Sequence, residues 1–336
     1  MVTPEPTLGQ ERGGRGVGAR GDPWPVMAGL RMFLAAVVAT THVIPNDQQP
    51  IDRLLRHLDD LGSSAAVVVF LAISGYSIAQ SVNRPEGFLK RRFWRIAPTY
   101  YACLAVAVMA FAICGTAPIS PFWRPTLAWP SILAAMFCLG GLTVLPFTYI
   151  GQAWSLACEL VYYVLAPRLA KLTTVGLVTL LWALLAASVV HDHLSTVPYQ
   201  RETWGVACLC LAWAWLAGFL YHRLEGPVWV GVLFVALITF FGYINPNQYG
   251  DARAALLIVA SAVMAFAGRF PAPRIAPLLN YLGELSYPLY LVHASLATLL
   301  IFRFHVPPAL ALAGALAASV ALYHWVDRPL RAWGRR

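Results

Sequence analysis

Eleven apolar stretches, most of them about as long as a bilayer is thick, occupy the greater part of this chain. They fall near residues 26–44, 61–82, 95–114, 130–146, 153–170, 174–190, 204–221, 227–243, 252–268, 286–303 and 307–326. A helix needs roughly 20 apolar residues to cross a bilayer. No water-soluble core has room for this many. The bulk composition agrees: 59% of the 336 residues are hydrophobic and 12% are charged, against about 25% charged in a soluble domain. Disorder is excluded for the same reason, since it needs low hydrophobicity and high charge. The pattern predicts an all-α polytopic membrane bundle of about ten transmembrane helices, with one further short re-entrant or interfacial helix. The expected layout is a flexible tail over 1–23, a membrane domain over 24–331 and a basic tail over 332–336.

Charge chooses between ten and eleven spans. The net charge is +9, from 24 Lys and Arg against 15 Asp and Glu. Cytoplasmic loops of membrane proteins collect Lys and Arg. Suppose that 130–146 does not cross and that the N-terminus is cytoplasmic. Arg12, Arg15, Arg20, Arg84, Lys90, Arg91, Arg92, Arg95, Arg168, Lys171, Arg223, Arg269, Arg274, Arg328, Arg331, Arg335 and Arg336 then share the inner side. Only Arg53, Arg56, Arg124, Arg201, Arg253 and Arg303 lie outside. Letting 130–146 cross would invert every later loop, so that segment, with Gly140, Gly141 and Pro146, reads as re-entrant or superficial. Both termini are then expected on the cytoplasmic side of the inner membrane. The basic excess is therefore read as orientation; no nucleic-acid surface is implied. The six cysteines lie in apolar stretches without a CxxC pair and read as small buried hydrophobes. His191-Asp192-His193 lacks a nearby third ligand, so no metal site is expected.

Ionisable side chains inside a bilayer are costly and mark function by default. Well inside the predicted spans the acid is Glu159 and the base Arg31, with His42 and His293 also in spans and His324 near the end of the last one. Arg31 and His42 are eleven positions apart on the first span, close to three turns, so they share one face about 16 Å apart along the axis. Glu159 is expected in the outer half, near the depth of His42. Arg92 and Arg95, three apart at the start of the third span, share a helix face and can clamp phosphates through bidentate bonds. Ser74-Gly75-Tyr76 offers a small-residue helix contact together with two hydroxyls.

These segments, taken in order, resemble the acyltransferase-3 family of integral membrane acyltransferases. Gly29-Leu30-Arg31 through His42 is similar to that family's first helix with its Arg-x10-His spacing. Val69 to Tyr76 is similar to its second-helix motif, and Phe88 to Pro98 to its basic segment. Trp154-Ser155-Leu156 with Glu159 and Tyr162 resembles its Trp-Ser-Leu-x-x-Glu helix. Leu282-Gly283, Ser286-Tyr287 and Tyr290 to His293 resemble its late segment, and Asp327-Arg328-Pro329 its closing Glu-Arg-Pro. Ala28 departs from the family, which often carries Asp there.

The resemblance implies a ten-helix bundle that moves an acyl group, most often acetyl, from acyl-CoA to a hydroxyl. The acceptor is expected to be a carbohydrate, a glycolipid or another cell-envelope molecule. A neutral histidine is the side chain most often used to take a hydroxyl proton, and His42 is assigned that role. Glu159 is expected to orient His42 or stabilise its imidazolium, or else to bind the acceptor, and Arg31 to balance the carboxylate or to stabilise negative charge developing on the thioester oxygen. Arg92 and Arg95 are assigned to the CoA phosphates, and Tyr162, Ser74, Tyr76 and His293 to substrate. Acyl-CoA is a donor substrate here; no bound cofactor is expected. The rival class is a transporter or flippase in which Arg31, His42 and Glu159 relay protons.

Overall fold

The computed structural model describes residues 21–43, 50–115, 129–195, 197, 199, 202–224, 228–244, 251–271 and 273–334. The tail over 1–20 and the basic residues Arg124, Arg201, Arg335 and Arg336 lie outside the described residues. Those described form helices and turns without strands. Helix α1 spans Trp24–Thr41, α2 Pro50–Asp60, α3 Ser63–Val82, α4 Phe88–Cys114 and α5 Trp129–Met136. Helix α6 spans Trp154–Leu169, α7 Thr174–Leu194, α8 Val206–Arg223 and α9 Val228–Ile244. Helix α10 spans Asp251–Phe266, α11 Ala276–Thr298, α12 Pro308–Leu322 and α13 Arg328–Trp333.

Among the described residues, eight helices are long and apolar enough to cross a membrane: α1, α3, α4, α7, α8, α10, α11, and α12 continued through α13. Helix α9 is apolar and 17 residues long. Helix α6 has 16 residues and is preceded directly by a 3-10 turn over Thr148–Ala153. The segment near 130–146 yields only the eight residues of α5, about 12 Å of helix, and then turns back at a bridge between Gly140 and Val144. The Tyr100 hydroxyl donates to the Ala135 carbonyl at 2.5 Å and ties α5 to α4.

One end of the bundle gathers the basic segments. There Arg223 donates to the Leu172 carbonyl at 2.8 Å, and Trp94 packs edge-on against Trp333 at 4.9 Å. Residues 332 and 333, expected in a tail, close α13 instead. Several helices begin earlier than the apolar runs suggest. Helix α11 starts at Ala276 and so includes Glu284. Helix α4 starts at Phe88 and carries the whole basic segment within its first turns. Hydropathy falls at the first charge, whereas backbone hydrogen bonding does not.

Glu159 is accordingly not the only acid among the helices. Asp327 is fully buried and accepts from Thr99 Oγ1 and Arg331 Nε, both at 2.8 Å. Arg331 also pairs with Glu284 at 2.5 Å. This network fastens the chain's last helical turns to α4 and α11.

The closest helix contacts run through small residues, as expected where lipid supplies no hydrophobic drive between helices. Helices α3 and α8 meet backbone to backbone: a Cβ on Gly75 would lie 1.9 Å from the Trp215 carbonyl oxygen, and one on Gly218 1.8 Å from that of Ala72. Helices α1 and α11 meet at Ala28 and Gly283, where a Cβ on Gly283 would lie 2.5 Å from that of Ala28. Gly218→Ala should therefore lower stability by about 1–3 kcal/mol through overpacking, read as a fall in thermal unfolding temperature in detergent. Gly151→Ala, at a position with nothing within 4 Å, should leave it unchanged.

Candidate active site

Five helices each turn one polar stripe toward a common cavity. On α1 the stripe is Trp24 and Arg31, seven residues or two turns apart. On α3 it is Ser74 and Ser77, on α4 Arg92 and Arg95, on α6 Ser155, Glu159 and Tyr163, and on α11 Ser286, Tyr287 and Tyr290. Together with Val67, Phe70, Leu71, Ile73, Ile96 and Leu156 they enclose about 880 Å³ of open space, its mouth included. Ser155, Glu159 and Tyr163 follow at i, i+4 and i+8, the spacing that lines one helix face.

Glu159 is the one carboxylate among the described residues that line this cavity, and it faces three guanidinium groups. Its Oε1 accepts from the Ser74 hydroxyl and from the Tyr163 hydroxyl at 2.5 Å. Its charge acts on both Arg31 and Arg92. The Arg92 guanidinium lies over the Tyr163 ring at 5.7 Å and the Phe88 ring at 5.8 Å, within cation–π range. Tyr163 thus holds the acid with its hydroxyl and the base with its face. Three cations and one anion line the wall, the Glu284 carboxylate also acts on Arg31 and Arg95 from beyond it, and a mainly positive lining suits an anionic ligand.

Glu159 was expected near His42; it lines the cavity together with Arg31, and His42 does not line it. The hydrogen bonds of Glu159 go to Ser74 and Tyr163, whereas those of the histidine go elsewhere. His42 caps the C-terminus of α1. Its Nδ1 lies 3.0 Å from the Val38 carbonyl oxygen and 3.2 Å from Nε2 of His293. The ring centroids of the two histidines are 4.9 Å apart. His293 is fully buried, with its Nδ1 3.0 Å from the Leu289 carbonyl oxygen.

The cavity and the histidine pair are linked by Tyr290. Its hydroxyl lies 2.6 Å from Ser155 Oγ and donates to the Gln152 carbonyl at 3.0 Å. Its ring meets that of His293 at 6.3 Å. Because Ser286, Tyr290 and His293 stand at i, i+4 and i+7, α11 carries a polar stripe from the cavity to His42.

Of the residues singled out by sequence, the structure brings Arg31, Arg92, Arg95, Glu159 and Ser74 together. His42 and His293 form a second group. Tyr162 faces away and donates to the Cys208 carbonyl of α8 at 2.5 Å, and Tyr163 occupies the place expected of it. The i+4 position after Glu159, not i+3, falls on the cavity face. Tyr76 packs with Trp24 at 5.9 Å and His222 at 4.8 Å, beside the cavity but not on its wall. Ser155, Tyr163, Ser286, Tyr287 and Tyr290 were not assigned by sequence reasoning. The i, i+4 repeat on α6 and α11 is the signal that would have found most of them.

Comparison with known proteins gives consistent findings. The family described as Acyltransferase domain matches residues 26–324. The acyltransferase MdmB of Streptomyces mycarofaciens is 29% identical over 305 residues, with 80% of this chain and 78% of that protein covered. No solved structure matches.

The charge balance in the cavity is testable by itself. Glu159→Gln removes the carboxylate from beside partly buried guanidinium groups and should cost about 1–3 kcal/mol. Adding Arg31→Met should recover part of that loss, with a coupling energy of about 0.5–3 kcal/mol in a double-mutant cycle of unfolding stability. Strict additivity would show that the two charges do not compensate each other.

Proposed function

The chain belongs to the acyltransferase domain family, and from that premise we propose that it transfers an acyl group, most often acetyl, from acyl-CoA to a hydroxyl of a carbohydrate, glycolipid or related envelope acceptor. Membership in a family of acyl-transferring enzymes favours this over a proton-relay transporter. The observation that carries the donor assignment is the cluster of Arg31, Arg92 and Arg95 around a single carboxylate. Guanidinium groups bind phosphate in a bidentate fashion, and CoA is a polyanion at one end and a thioester at the other.

In this reading Arg92 and Arg95 take the CoA phosphates at the basic end of the bundle. That end is cytoplasmic by the positive-inside rule, which agrees with where CoA resides. Glu159 and Tyr163 keep Arg92 in place before the donor arrives. The pantetheine arm runs along the stripe formed by Glu159, Ser155 and Tyr290 toward His42, roughly 16 Å beyond Arg31. The protein then sits in the inner membrane with both termini cytoplasmic.

The chemistry needs one proton acceptor. As the acceptor's hydroxyl oxygen attacks the thioester carbonyl carbon, its proton passes to His42. The tetrahedral intermediate collapses, the carbon–sulfur bond breaks, and the CoA thiolate recovers the proton from the imidazolium. An ester and free CoA result, and His42 returns to its neutral form. Positioned general-base catalysis of this kind contributes about 10²–10⁴ in rate.

Two measurements test the reading in membrane vesicles, whose own components supply the acceptor. CoA release from acetyl-CoA is followed with a thiol reagent, and vesicles lacking the protein give the background. His42→Ala should lower turnover by about 100-fold or more at normal protein abundance; wild-type turnover in that variant would remove the base assignment. Arg92→Ala should raise KM for acetyl-CoA while changing kcat little. An unchanged KM would leave the basic segment with a topological role alone.

A further inference from the structure

The histidine pair has a hydrogen-bond pattern with one consistent solution. A ring nitrogen beside a carbonyl oxygen must carry the proton, because two lone pairs repel. Nδ1 of His293 lies 3.0 Å from the Leu289 carbonyl, so it is protonated and donates. In the neutral ring Nε2 is then bare and accepts. That bare nitrogen is 3.2 Å from Nδ1 of His42. Nδ1 of His42 also faces a carbonyl, that of Val38 at 3.0 Å, so it too is protonated. One N–H is thus shared between the Val38 oxygen and His293. The remaining nitrogen of His42, Nε2, holds a lone pair and meets no hydrogen-bond partner among the described residues.

We infer that His293 is a positioning residue for His42: it accepts the Nδ1–H of His42, leaves Nε2 of His42 as the basic atom, and supports the imidazolium formed when Nε2 takes a proton. The inference rests on the reading of His42 as the base. The hydrogen bond does for this site what a carboxylate does in a Ser-His-Asp triad, where the third group fixes the tautomer and stabilises the charged ring. Here the third group is a neutral imidazole, and Glu159, the carboxylate expected in that role, is engaged with Ser74 and Tyr163. When Nε2 becomes protonated, the Nδ1–H bond turns charge-assisted and strengthens.

The backbone explains why the pair holds its shape. His42 and His293 each bond the carbonyl four residues earlier on their own helix, so each ring is set by helix geometry. Helices α1 and α11 are in turn locked together at Ala28 and Gly283. His293 has no exposed surface, which leaves it no contact with bulk water and places it behind His42 as a support.

The test uses the full chain in lipid nanodiscs with 15N-labelled histidine, studied by solid-state NMR, the His42 signals being identified by their loss in His42→Gln. The expected spectrum has His42 and His293 both protonated at Nδ1, with a scalar coupling between Nδ1 of His42 and Nε2 of His293 across their hydrogen bond. In the vesicle assay with acetyl-CoA, His293→Leu should lower kcat at least about 10-fold, part of the general-base contribution, at unchanged KM. His293→Gln, which retains an acceptor, should recover part of the rate. An Nε2-protonated His42, a missing coupling, or a raised KM at unchanged kcat would overturn the inference; the last would make His293 a substrate contact. If His42→Ala keeps full turnover, it is the function reading that fails, and the NMR result still decides the geometry of the pair.

Discussion

Charge held among apolar helices is the constraint on which the rest of this bundle depends. Three guanidinium groups and one carboxylate, each partly buried, line a single cavity, and taking such groups out of water is costly unless they are compensated. Glu159 is the compensating group, and its position is set by its neighbours. Ser74 and Tyr163 hold its oxygen, and Tyr163 carries Arg92 on its ring. The cavity wall carries more cations than anions and faces an open space, a setting that suits an anion.

Packing transmits that arrangement through the helices. Gly75 lets α3 lie directly on the backbone of α8, and the adjacent Ser74 reaches Glu159 on α6. His42 reaches His293 because Ala28 and Gly283 bring α1 against α11. The small residues in the motifs therefore serve the polar ones beside them. At Ala28 the side chain lies against Gly283, and a larger one would push the two helices apart. The buried Asp327, with Thr99 and Arg331, plays a comparable part at the basic end.

Much of the fold was legible because apolar length and charge asymmetry are properties of the sequence itself. The non-crossing segment near 130–146 followed from loop charge, and it emerges as the short α5. The helix starts were less legible: α11 runs ten residues further toward the N-terminus than its apolar run, since a polar helical turn at the membrane boundary leaves no hydropathy signal. Arg31 and His42 were visible through their spacing, and Arg92 with Arg95 likewise. What spacing could not disclose was partner choice across helices. Local sequence says that Glu159 and Tyr163 share a face, but not that Ser74 completes their cluster or that His293 instead of Glu159 meets His42. Tyr162 shows the limit well: one position along the helix separates a cavity residue from one that bonds α8.

The central claim is that the arginine cluster and the histidine pair are two ends of one donor site. A structure by electron cryomicroscopy, of the protein in lipid nanodiscs with a thioether analogue of acetyl-CoA, tests it most directly. The account predicts phosphates against Arg92 and Arg95, the pantetheine arm along Glu159 and Tyr290, and the acetyl end beside Nε2 of His42. An analogue bound with its acetyl end far from His42, or with its phosphates away from the arginines, would contradict it.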